Sequence, residues 1–119
     1  MKLCAAGFAL LWSLIVLGQE KELQFNLYFE HDQYHLAPDQ RIRIDSLLSL
    51  PNKELYDVHI NGFTNNIGPK QYNLELSRKR AENVKKLMRP FTIISSIGKG
   101  PLESEAAANR RVEIIFHPK

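Results

Sequence analysis

The stretch Tyr56-Asp57-Val58-His59-Ile60-Asn61-Gly62-Phe63-Thr64-Asn65-Asn66-Ile67-Gly68, running on through residues 69–88, decides the fold. Tyr56, Val58 and Ile60 alternate with Asp57, His59 and Asn61, the period of a strand with one apolar and one polar face. Residues 62–68 predict a loop, in which Gly62 and Gly68 allow backbone shapes that a Cβ would strain. From residue 69 the spacing turns helical. Tyr72, Leu76, Ala81, Val84 and Leu87 or Met88 form an inner stripe, and Glu75 with Lys79 makes an i,i+4 pair. Pro90 ends the helix, and Lys85, Lys86 and Arg89 suit its negative end.

Working outward toward the N-terminus, Leu23, Phe25, Leu27 and Phe29 alternate with Gln24, Asn26 and Tyr28, which predicts a first strand. Pro38 fits the first turn of a helix, with Asp39 favourably placed for its dipole. Ile44, Leu47 and Leu48 form its apolar stripe, and Pro51 stops it near Leu50. Toward the C-terminus, residues 91–97 and 111–116 predict two further strands, the last with Val112, Ile114 and Phe116 on one face. The order strand, helix, strand, helix, strand, strand, with apolar faces for the helices to cover, predicts a two-layer α/β sandwich. No internal repeat or linker divides it.

The chain has 119 residues, of which 44% are hydrophobic and 24% charged, enough for one core without disulfides or metal. Met1 and Lys2 precede an uncharged, largely apolar run at residues 3–18, which reads as an export signal with cleavage after Gly18. The mature domain then spans residues 19–119. An uncleaved anchor is the rival reading, but a spanning helix needs about 20 apolar residues and this run is shorter. Cys4 lies too early to carry a lipid at the cleavage point, and the mature domain, lacking cysteine, fits an oxidising compartment. The formal charge of +3 falls to +2 with the loss of Lys2, and the remaining basic residues sit beside acidic ones. That balance argues against a nucleic-acid surface.

Four blocks occur in order: Phe29-Glu30-His31-Asp32, then Gly62-Phe63-Thr64-Asn65-Asn66-Ile67-Gly68, then Tyr72-Asn73-Leu74-Glu75-Leu76-Ser77-Arg78-Lys79-Arg80-Ala81, then Asn109-Arg110-Arg111-Val112-Glu113-Ile114. Together they make residues 19–119 resemble an OmpA-like peptidoglycan-binding domain. The resemblance implies a βαβαββ, α+β arrangement: a mixed four-stranded sheet with two helices on one face. It implies a noncovalent hold on the cell wall through the diaminopimelate of the peptide stem, whose side-chain end carries a free ammonium and carboxylate. It also implies a periplasmic place in a Gram-negative envelope, associated with the outer membrane or cell wall. No cofactor is expected, and the sequence left after cleavage offers no transmembrane segment.

In the family an arginine of the second helix faces a ligand carboxylate, and Arg80 matches it. A planar guanidinium suits the task because it forms two parallel hydrogen bonds and keeps its charge. The family pattern Gly-His-Thr-Asp reads Gly62-Phe63-Thr64-Asn65 here, so the carboxylate expected to face the ligand's ammonium is an amide. A charge-assisted bond is worth about 1.5–3 kcal/mol against about 1 for a neutral one, a loss of about tenfold in affinity or more. Asp32 or Glu30, in the loop matching the other wall of the site, supplies the missing charge if either points inward. Phe29, Asn73 and Leu76 match positions that line or support the site, and each also reads plainly as a core strand residue, a helix-start amide and a core helix residue. Arg110 and Arg111 match a structural pair close to the binding surface, which makes Arg110 a further candidate.

The residues also admit other readings. His31, Asp32 and His35 lie close together, but in a loop where their rings need not converge on a metal. Ser95 and Ser96 sit in a predicted strand without a nucleophile elbow, so catalysis is not expected. The stronger rival is a degenerate OmpA-like interaction module of an envelope complex, supported by the amide at Asn65.

Overall fold

Every strand expected from the sequence forms and runs beyond its expected range at one end, although Phe29 and Phe91 fall just outside. In the computed structural model, which describes residues 13–17 and 20–119, the strands are β1 (Ser13–Leu17), β2 (Glu20–Tyr28), β3 (Tyr56–Thr64), β4 (Thr92–Pro101) and β5 (Arg111–Pro118). Helices α1 (Pro38–Leu48) and α2 (Lys70–Leu87) follow β2 and β3. The sheet order is β1-β2-β5-β3-β4, with β3 and β4 parallel and every other pair antiparallel. Strands β2 to β5 and the two helices are the expected mixed four-stranded arrangement. β1 adds a fifth strand at the β2 edge, drawn from the segment read as an export signal. The expected cleavage point after Gly18, like Cys4, lies outside the described residues.

Inward-facing Phe25 and Leu27 of β2, Val58 and Ile60 of β3, and Val112, Ile114 and Phe116 of β5 meet Ile44 and Leu47 of α1, Ala81 and Val84 of α2 and Met88 at the C-cap of α2, all buried. Each large aliphatic or aromatic side chain so placed contributes about 1.5–3 kcal/mol. Among the described residues no helix is long and apolar enough to cross a membrane.

Residues 62–64 are strand and not loop. Gly62 pairs with Val112 on one side and Gly98 on the other, and Thr64 pairs with Pro101. A Cβ on Gly62 would lie 2.1 Å from the Ser77 carbonyl oxygen, and one on Gly98 would lie 2.4 Å from the Arg78 nitrogen. The two glycines are register partners, so together they form a shallow floor on which residues 77 and 78 of α2 rest. Gly62 therefore serves close approach, whereas Gly68, at φ +96°, does serve backbone freedom.

Two expectations for α2 need correction. Tyr72 is 48% exposed, because the N-terminal turn of α2 overhangs the sheet, and contact with the core begins at Asn73, Leu76 and Ser77. Glu75 pairs with Arg78 and not Lys79. Arg78 bridges Glu75 and Glu82, and its forked guanidinium reaches both carboxylates.

Candidate functional site

Arg80 is fully buried, and that burial is the central fact of the site. The helical repeat places its stem on the face of α2 turned toward the sheet. Its Nε donates to the Gln33 carbonyl (2.7 Å), one terminal nitrogen to the Phe63 carbonyl (3.0 Å) and the other to the Glu30 carbonyl (3.1 Å). The guanidinium also lies over the Phe29 ring, 5.0 Å from its centroid, a favourable cation–π placement. These partners satisfy three of its five N–H bonds. No carboxylate forms an ion pair with it among the described residues. Burial pushes the guanidinium down to about 10, Arg110 adds to the push, and Asp32 and Tyr72 oppose it. Arg80 thus remains a cation at neutral pH, held by three carbonyl dipoles and the face of Phe29.

The first loop supplies two of those dipoles. Its turn is closed by the Gln33 N–H bonded to the Glu30 carbonyl at 3.1 Å. Asp32 sits inside that turn at φ +59°, a left-handed conformation that aspartate tolerates better than most residues. Its side chain is 54% exposed. The Tyr72 hydroxyl donates to Asp32 Oδ1 at 3.2 Å, and His31 Nε2 lies 3.5 Å from Oδ2. Desolvation and the bond to Asp32 push the Tyr72 phenol up, which keeps it a donor. Sequence reasoning placed Tyr72 in the core and missed it as a site residue. Its position at the start of α2, two turns before Arg80, was the available signal.

Asn65 is buried and engaged with its own neighbourhood. Its amide nitrogen donates to the Glu105 carbonyl and its oxygen accepts from the Ile67 N–H, both at 3.4 Å. Thr64, also buried, donates its hydroxyl to the Asn65 carbonyl (2.8 Å). Asn73 donates its amide to the Ile67 carbonyl (2.9 Å), tying the loop to the start of α2. Leu76 is buried beside it. Ser77, another residue not singled out from sequence, accepts the Gly100 N–H (2.9 Å) and so anchors α2 to β4. Asn65, Thr64, Asn73 and Leu76 are thus parts of a braced loop-helix junction.

Glu30 contributes its carbonyl to Arg80, and with Phe29 it also lines a cavity of about 300 Å³ whose wall includes Asp39, Gln40, Ala107 and Arg110. Arg110 donates Nε to the Phe29 carbonyl (2.8 Å), and no further partner of its guanidinium occurs among the described residues. Among those residues no three His, Cys, Asp or Glu side chains converge as metal ligands. His35 instead meets Asn83 at 3.3 Å.

Residues 28–111, from the last residue of β2 to the first of β5, match the sequence pattern of the OmpA family. The chain belongs to the OmpA family. Members of this family are generally non-catalytic. No curated protein matches the chain. The OmpA-like domain of FopA1 from Francisella tularensis subsp. tularensis is similar in fold, at TM-score 0.70 and 20% identity over 90% of this chain and 79% of that one. The peptidoglycan-associated lipoprotein from Burkholderia pseudomallei is 25% identical at TM-score 0.61, over 76% of this chain and 88% of that one. The cell wall anchor of the T6SS from Pseudomonas aeruginosa superposes at TM-score 0.59 and 22% identity, over 98% of this chain and 94% of that one.

Proposed function

We propose that this OmpA-family protein is a non-catalytic binder of peptidoglycan in the periplasm, exported by a signal at residues 1–18 and gripping the diaminopimelate end of the stem peptide through Arg80. The observation that carries the reading is a buried guanidinium held by three backbone carbonyls and, among the described residues, paired with no carboxylate. A buried cation is costly unless an anion joins it. A ligand carboxylate fills that place with two parallel charge-assisted bonds. Since Arg80 is covered in the free protein, the ligand meets the exposed turn around Asp32 first, and binding requires the Glu30 and Gln33 carbonyls of that turn to give way to the ligand carboxylate. The relatives named for peptidoglycan association and wall anchoring support the same reading.

A second reading, an interaction module that has left the wall, is favoured by one observation. Both polar atoms of the Asn65 amide are taken by backbone, so the residue at the family's acidic position is not free to meet a ligand.

Co-sedimentation with diaminopimelate-type sacculi separates the two. The wall reading expects the purified protein to sediment, to be released by free diaminopimelate, and not to be released by lysine, which lacks the carboxylate at its side-chain end. Arg80→Lys keeps a cation but loses the fork, and is expected to weaken sedimentation about tenfold while remaining folded by circular dichroism. Absence of sedimentation by the native protein overturns the wall reading in favour of the interaction module.

A further inference from the structure

We propose that residues 30–35 form a strap shut over Arg80, and that Asn83 is the clasp that keeps it shut, so that the protein restrains its own hold on the ligand. The proposal rests on the wall-binding reading and adds how that site is regulated.

One stripe of α2 holds the strap along its length. The Asn83 amide nitrogen donates to the Tyr34 carbonyl at 2.6 Å and lies 3.3 Å from His35 Nδ1. The Lys79 ammonium stands over the Tyr34 ring, 5.1 Å from its centroid, a favourable placement for a cation. Arg80 holds the Glu30 and Gln33 carbonyls, and the Tyr72 hydroxyl holds Asp32. Among the described residues, every hydrogen bond from the strap to the rest of the chain goes to α2. Its two ends are pinned, by buried Phe29 before it and by Leu36, packed against the core, after it.

These ties differ in what becomes of them when a ligand carboxylate arrives. At Arg80 the carboxylate takes the place of the two carbonyls and makes stronger, charge-assisted bonds. The Asn83 bond has no such replacement, because it lies about a turn further along α2 and its acceptor is the strap's own backbone. Gln33 and Tyr34 are adjacent, so the Gln33 carbonyl cannot withdraw freely from Arg80 while the Tyr34 carbonyl is held. Breaking the clasp is therefore a cost of opening that the ligand does not return. A protein whose competent form is a minor fraction binds more weakly by that fraction. Loosening the clasp thus tightens binding, the opposite of what loss of a ligand contact does. Asn83 also lies outside the four sequence blocks that carry the family likeness.

Amide hydrogen exchange over residues 30–35 in the free protein reads the strap, and calorimetric titration with diaminopimelate reads the grip. Asn83→Ala removes the clasp and puts a better helix former into α2, so the fold is expected to remain. It is expected to speed exchange in the strap and to tighten diaminopimelate binding about fivefold, the worth of one neutral hydrogen bond. Lys79→Met, which removes the cation over Tyr34, is expected to act in the same direction by about threefold. Lys86→Ala, at an exposed position of the same helix, is expected to change neither readout. Unchanged or weaker binding by Asn83→Ala overturns the proposal and leaves the wall reading standing, as does strap exchange that does not quicken. A native protein that binds no diaminopimelate removes the wall reading itself, and the proposal with it.

Discussion

Asn65 is fixed by what surrounds it. Its amide nitrogen faces the Glu105 carbonyl and its oxygen faces the Ile67 N–H, so an amide satisfies both neighbours and a carboxylate satisfies one. Asn65→Asp, which restores the family's acid on paper, is expected to set two acceptors against each other and to lower stability by about 1–3 kcal/mol in urea unfolding. It is expected to leave diaminopimelate affinity no tighter. Single residues were unevenly legible in the sequence. Arg80 was found through its motif, yet its three carbonyl partners lie 17, 47 and 50 residues away in the chain, and no local pattern announces such contacts. Tyr72 was misread because helical periodicity says which residues share a face, not where along the helix that face stops meeting the sheet.

The elements were more legible, since alternation and helical spacing are set by burial, and burial on one face is what this sandwich requires. Their ends were less so. β3 continues through Gly62, Phe63 and Thr64 because β5 and β4 flank Gly62 and β4 still pairs with Thr64, and that pairing comes from distant segments. The paired glycines Gly62 and Gly98 set how near α2 comes to the sheet. Gly98→Ala places a methyl against the Arg78 backbone, which belongs to a helix held by many contacts and cannot yield as a side chain would. A loss of about 1–3 kcal/mol is expected in thermal or urea unfolding. Because Arg80 follows two residues after Arg78 on that helix, the variant is also expected to weaken ligand binding by displacing the guanidinium from its carbonyls.

For the molecule as a whole, four strands and two helices were predictable from order and pattern, and the edge strand β1 was not, because an apolar N-terminal run carries no alternation to mark it. The topology separates local from distant pairings. β3, α2 and β4 follow one another directly, with α2 packed on both strands, whereas β2 joins β5 across a separation greater even than the 81 residues between Phe29 and Arg110. Closing a long loop costs entropy before its contacts form. The strand-helix-strand unit is therefore expected to form first and β2 to dock late. Stopped-flow kinetics would check this: Ala81→Gly should chiefly slow folding, and Leu27→Ala should chiefly speed unfolding. The turn that bears Asp32 and two of the carbonyls around Arg80 follows β2, so it reaches the guanidinium only with that last step. A chain caught before it has most of its helix and half its sheet and still no grip, and competence to bind appears in time as the final event of folding.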